Sequence, residues 1–178
     1  PEQLAVAIIK MIDAGARILN LSSALALTST RGERELEAAL DRALSRGVIV
    51  VAAAGNQGVL GSSAITRHPW VISVAACDLH GRPIGYSNLG SSIGRRGLSA
   101  PGFGVTSLGA DGKPRMFGGT SAAAPFVTGA IALLYSQFPA ASATQIKMAV
   151  TQASVPRRTV VPPLLDAWGA YQTLAAAR

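Results

Sequence analysis

Cysteine is almost missing from this chain: Cys77 stands alone among 178 residues. A lone thiol closes no internal disulfide, and no metal-ligand spacing surrounds it, so it reads as a buried structural thiol at a strand end. Charge is scarce as well, at 14% of residues against 49% hydrophobic, which excludes a disordered chain. Acids are scarcer than bases, nine against 16, and leave a formal net charge of +7. Such a balance raises a nucleic-acid partner. The bases are scattered, however, with doublets only at Arg95-Arg96 and Arg157-Arg158, and aromatics are only 5% of the chain. Without a stacking platform, a solvated basic surface is the better reading and no nucleic acid is expected. No uninterrupted run of membrane-spanning length occurs. The longest candidate, Ala122 to Phe138, is broken by Pro125, Thr128, Gly129 and Ser136, so it reads as a buried helix and no membrane partner is expected. The chain opens at Pro1 with neither an initiator Met nor a signal-peptide pattern, and reads as a processed product or a piece of something longer.

What is present alternates in type. Leu4, Ile8, Ile9 and Ile12 line one face of a helix over Glu2 to Ala14, closed by Gly15. "ARILNLSS" follows as a short buried strand. "TSTRGERELEAALDRALSRG" reads as a helix, acidic at its start and basic at its end, as the helix dipole favours. "VIVVAAAG" and "WVISVAAC" are continuous apolar runs of the kind found in parallel strands buried on both faces. A loop is expected from Asn56 to Pro69. Short strands and turns are expected in the Gly-, Ser- and Pro-rich stretch from Asp78 to Pro114, with a hairpin turn at "GADGKP". Helices follow near 121–138, 142–153 and 165–176. Helix, strand, helix, strand, loop, strand implies an α/β fold with a mostly parallel sheet, in one domain spanning 1–178.

Two stretches could carry chemistry. In "MFGGTSAAAPFVTGAIALLYSQF", Thr120 and Ser121 stand where a loop enters an apolar helix. Backbone N–H groups at such an entrance lack intrahelical partners, and the dipole favours negative charge there. A serine there is also an ordinary N-cap, worth about 1 kcal/mol. A plain cap needs neither the two preceding glycines, Gly118 and Gly119, nor the small residues Ala122, Ala123 and Ala124 after it. Together these suit an exposed hydroxyl approached by a bulky substrate. In "VVAAAGNQG" the glycine spacing matches neither a dinucleotide fingerprint nor a P-loop. Asn56 falls past the C-terminal end of a parallel strand, where open α/β sheets place their sites, and its amide can donate to a developing oxyanion. A turn asparagine is the plainer alternative.

Taken together and in order, these segments resemble the subtilisin-like serine proteases. "GGTSAAAPFVTGAIALL" is similar to that family's serine motif, "VVAAAGNQG" to its oxyanion-asparagine segment, and "GARILNLSSA" to the strand beside bound peptide. "HPWVISVAA", "YSNLG" and "LSAPG" match further segments. The resemblance implies a three-layer α/β fold and a peptide or protein substrate. By the family's pattern Ser121 is the nucleophile, Gly119 and Thr120 form its loop, and Asn56 completes the oxyanion hole. Thr120 would assist through its hydroxyl. Ser22, Ser23 and Ala24 would pair with substrate backbone, and Ala53, Ala54 and Gly55 would form the opposite wall of the first specificity pocket. The family usually has glycine where Ala24 stands. An extracytoplasmic location follows from the resemblance alone. Calcium is a metal such proteins often carry, but no ligand cluster in this sequence marks a site.

The largest departure is an absence. The family's aspartate and histidine motifs would lie upstream of Pro1. His68 and His80 match neither motif and read as surface residues; Asp13, Asp41, Asp78, Asp111 and Asp166 match no catalytic aspartate. A serine without a base is a poor nucleophile, so activity is expected only with a complementary N-terminal segment carrying Asp and His. The alternatives are a non-catalytic relic that keeps the fold, and a peptide-processing member that works by acyl transfer.

Overall fold

The computed structural model describes residues 1–23, 32–152 and 157–177. Strands β1 (Ile18–Leu21), β2 (Ile49–Ala53), β3 (Ile72–Cys77) and β4 (Leu98–Pro101) form a parallel sheet in the order β1-β2-β3-β4. Its register sets Ile18 beside Ile49, Val51 beside Ile72 and Val74 beside Leu98. Every residue of β2 and β3 is buried. Both faces are therefore covered, which is why these strands read as unbroken apolar runs.

The sequential strand order decides where the helices go. Right-handed crossovers between adjacent parallel strands fall on one face of the sheet. Helices α2 (Glu33–Ser45), α3 (Ala64–Arg67) and α4 (Ser91–Arg96) make these crossovers, and α1 (Glu2–Asp13) packs on α2. The opposite face is taken by α5 (Thr120–Gln137), which touches all four strands. Helices α6 (Ala143–Thr151) and α7 (Ala167–Ala176) pack beyond it. An antiparallel hairpin of β5 (Val105–Leu108) and β6 (Pro114–Phe117) projects just before α5. The result is the α/β architecture expected from the alternation of elements.

Three features differ from the sequence reading. The expected Asn56–Pro69 loop contains α3, whose single turn is closed by a capping box of Ser63 and Thr66. The Gly- and Ser-rich stretch contains α4. Both helices are too short to show a periodic apolar pattern. The third difference concerns α5, expected to be buried but covered on one side only. Ala123, Ala124, Val127 and Ile131 are fully buried on its sheet side, while Phe126 is 43% and Leu133 71% exposed. The sheet covers one face of a helix whose composition is apolar all round.

The two sheet edges are unlike. Beside β4, Ser99 N–H donates to the Pro163 carbonyl at 2.6 Å, and Leu165 N–H to the Ser99 carbonyl at 2.8 Å. Among the described residues, β1 pairs only with β2. No helix among the described residues is long and apolar enough to cross a membrane. Cys77 is buried at the end of β3, as expected, and burial pushes its thiol up, so it is a poor nucleophile.

Candidate active site

Ser22 and Ser23 follow β1, Ala54 and Gly55 follow β2, and Ser121 stands in the first turn of α5. All fall at the C-terminal edge of the sheet, because the strands are parallel and α5 starts where they end. Ala53 and Ala54 are buried at 3% and 6% exposure. Ala24 lies outside the described residues.

Thr120 joins the two loops. It is fully buried. Its Oγ1 accepts from the Gly55 N–H at 3.1 Å and donates to Asn56 Oδ1 at 3.0 Å. Its backbone N–H donates to the same Oδ1 at 2.9 Å. Two donors can meet only the carbonyl end of an amide, which fixes the orientation of the Asn56 side chain. The whole amide lies against Gly119, where an added Cβ would stand 2.8 Å from Nδ2 and 3.1 Å from Oδ1. Gly119 adopts φ +91°, a conformation costly for any residue with a Cβ. The glycine before the serine thus has two local causes, its backbone angle and the amide packed on it.

Pro125 explains the next contact. It lies inside α5 and has no N–H, so the Ser121 carbonyl four residues earlier loses its helical partner. Ser22 Oγ donates to that carbonyl at 3.3 Å, and Ser121 Oγ donates to the Ser22 carbonyl at 2.8 Å. Ser22 Oγ also accepts from Asn20 Nδ2 at 2.8 Å, and Asn20 Oδ1 accepts from Thr128 at 2.9 Å. A polar chain therefore runs along the open edge of β1 to the serine. The Ser121 hydroxyl meets a neutral carbonyl, and no base contacts it among the described residues.

The histidines lie elsewhere. His68, expected at the surface, is only 7% exposed. Its Nδ1 accepts from the Trp70 N–H at 3.3 Å, leaving Nε2–H to face Asp41 Oδ1 at 3.2 Å. The pair stands before β3, at the end of the sheet opposite Ser121, so it cannot serve that serine. The contact with a carboxylate on α2 is one that no local pattern around His68 announces. His80 is exposed in the Asp78–Arg82 turn, as expected.

Two features were not singled out from the sequence. Asn88 is buried at 4% and ties down the Asn56 loop. Its Nδ2 donates to the Ala54 carbonyl at 3.2 Å and to Gln57 Oε1 at 2.7 Å. Its Oδ1 accepts from the N–H groups of Gln57 at 2.9 Å and Val59 at 3.2 Å. The "YSNLG" match was the only available signal. The second feature is an apolar cavity of about 470 Å³ beside Ser121 and Ala122, walled by Val105, Phe117, Pro125 and Phe126. Its hairpin wall was legible as a turn, but its position was not. Among the described residues no cluster of three or more His, Cys, Asp or Glu is placed to hold a metal ion.

Comparison with known proteins bears on the family and the fold. The model of the subtilase family matches residues 2–170. A thermostable alkaline protease of Halalkalibacterium halodurans is 36% identical over 143 residues, covering 80% of this chain and 38% of that protein. Subtilisin DY of Bacillus licheniformis is 35% identical over 137 residues, covering 75% of this chain and 47% of that protein. The chain thus spans less than half the length of these relatives. The structure of the self-cleaved protease domain of PatA superposes with a TM-score of 0.85 at 31% identity, covering 97% of this chain and 67% of that one.

Proposed function

The chain belongs to the subtilase family, and from that premise we propose that it is the nucleophile-bearing part of a serine endopeptidase. All 178 residues would form the later portion of one peptidase domain. Ser121 Oγ attacks the scissile carbonyl while its proton passes to a base. The oxyanion is held by the Ser121 N–H, which has no intrahelical partner at this position, and by Asn56 Nδ2. Collapse expels the amine, which takes a proton, and leaves an acyl-enzyme that water then hydrolyses. Thr120 acts as a positioning residue, because its one hydroxyl proton is directed at Asn56 Oδ1. The supporting observation is the double grip of Thr120 on that oxygen, which leaves the Nδ2 donors free of Thr120 beside the serine loop.

Substrate would lie between two walls. Ser22, Ser23 and Ala24 would pair with its backbone as an added strand, and Ala53, Ala54 and Gly55 would face them across the first specificity pocket. The apolar cavity beside Ser121 would take an apolar side chain flanking the cleaved bond. The base and its carboxylate would come from a complementary N-terminal segment. Support comes from the edge of β1, unpaired among the described residues, the exposed Phe126 and Leu133 on α5, and the greater length of the relatives.

The test is a fluorophosphonate probe, which reacts rapidly only with an activated serine. The chain alone is expected to label slowly, and addition of a front segment bearing the family's Asp and His motifs should speed labelling, with Ser121→Ala abolishing it. If Ser121 stays unlabelled after complementation, the chain is a non-catalytic relic.

A further inference from the structure

A basic concavity outside the candidate site lies where the 60–62 loop, α4 and the segment 157–160 meet. Arg67, Arg95 and Arg96 line one lobe of about 460 Å³. Arg95 and Arg158 line a second of about 360 Å³, and the two share Ser91, Arg95 and Val160. None of the described lining residues is acidic.

Close backbone approach holds the three walls together. A Cβ on Gly90 would collide with the Gly61 carbonyl, and one on Gly94 with the Thr159 carbonyl. Neutral carbonyls hold most of the guanidinium groups. Arg96 donates to the Arg67 carbonyl at 2.8 Å, and Arg157 to the carbonyls of Arg95 at 3.0 Å and Gly97 at 3.3 Å. Within the cleft, among the described residues, Arg67 alone meets a carboxylate, Glu33 at 3.2 Å. Arg96 Nε and Ser92 Oγ are shut off from solvent with no hydrogen-bond partner. Burial, reinforced by the adjacent Arg95 charge, pushes Arg96 below its usual value, as expected where positive charges crowd without compensation.

We infer that this cleft binds an acidic polypeptide segment, with carboxylates on Arg95 and Arg158 and apolar side chains against Leu60 and Val160. Guanidinium groups present a planar fork that matches carboxylates. Leu60 is 75% and Val160 39% exposed at the rim, which suits alternating acidic and apolar residues better than a bare inorganic anion. A single-stranded nucleic acid is held best where its bases stack on aromatic rings, and none lines the cleft. The two joined lobes form a trough longer than one small anion fills. This binding needs no chemistry at Ser121.

The test uses the full chain carrying Ser121→Ala, so that binding is read whether or not the protein cleaves peptides. Fluorescence polarisation would follow a labelled peptide of alternating Glu and Leu, its Lys–Leu counterpart and an oligothymidylate. The acidic peptide should bind best and weaken as salt rises. Arg95→Glu with Arg158→Glu should weaken it at least about 10-fold. Arg34→Glu, on the exposed side of α2, with Arg46→Glu, exposed just past its end, changes net charge equally and should leave affinity within about 2-fold. Equal loss in both double variants, no preference over the basic peptide, or tighter binding of the oligothymidylate through the same arginines would overturn the inference.

Discussion

Asn56 and Gly119 show how two neighbouring residues share one task. The amide is oriented by Thr120 and rests on a glycine that leaves room for it. Replacing Asn56 with Ala should lower turnover of the complemented protein about 10²–10³-fold with KM little changed, a magnitude carried over from a subtilisin donor. Gly119→Ala should act in the same direction by displacing the amide. Steady-state kinetics on a peptide substrate would check both, and unchanged turnover in Asn56→Ala would remove this residue from the oxyanion hole. The residue types were legible in "GGTS" and "AAAGNQG". The direction of the Asn56 amide was not, because both donors that fix it lie 64 residues away along the chain.

At the scale of elements, the loop after β2 is shaped by a single side chain from a distant turn. Asn88 satisfies the Ala54 carbonyl and two N–H groups of the loop from a buried position. Asn88→Ala should cost at least about 2 kcal/mol, because buried polar groups lose their partners without gaining water. Urea unfolding would measure it; a loss below about 0.5 kcal/mol would mean that the loop holds itself. Helix α5 was easier to read. Its length, its apolar content and the proline near its start were visible in sequence, and the freed Ser121 carbonyl follows from proline chemistry alone. What that carbonyl would meet depended on where β1 ends.

For the whole molecule, Lys147 links α6 to the turn before β3. Its Nζ donates to the Pro69 carbonyl at 2.7 Å and stands 4.7 Å from the centre of the Trp70 ring. Burial, with the Arg96 charge adding to it, pushes this lysine from 10.5 down to about 8. Between these values the unfolded chain binds the proton more readily than the native one, so this group makes folding more favourable as pH rises. Below the window both states are charged and its cost to the native state is fully present. Lys147→Met should therefore gain on the wild type at neutral pH, and the gap should narrow through the window. Comparing unfolding midpoints of the two proteins separates Lys147 from Cys77 and Tyr135, whose raised values oppose it in the same range. A pH-independent gap would refute the prediction. The β1 edge, which pairs only with β2 among the described residues, and the exposed apolar side of α5 also belong to this scale, since both are surfaces prone to association.

The sequence by itself determined the α/β alternation, the glycine-flanked serine at a helix entrance and the asparagine after a buried strand. Each of these is written in residues a few positions apart, where spacing and backbone preference act directly. Only the tertiary structure decided that His68 is buried and faces Asp41 far from the serine, that Asn88 holds the loop after β2, and that four arginines converge on one cleft. Those outcomes depend on contacts between segments distant in sequence. Such contacts exist only after the sheet has set which chain ends meet.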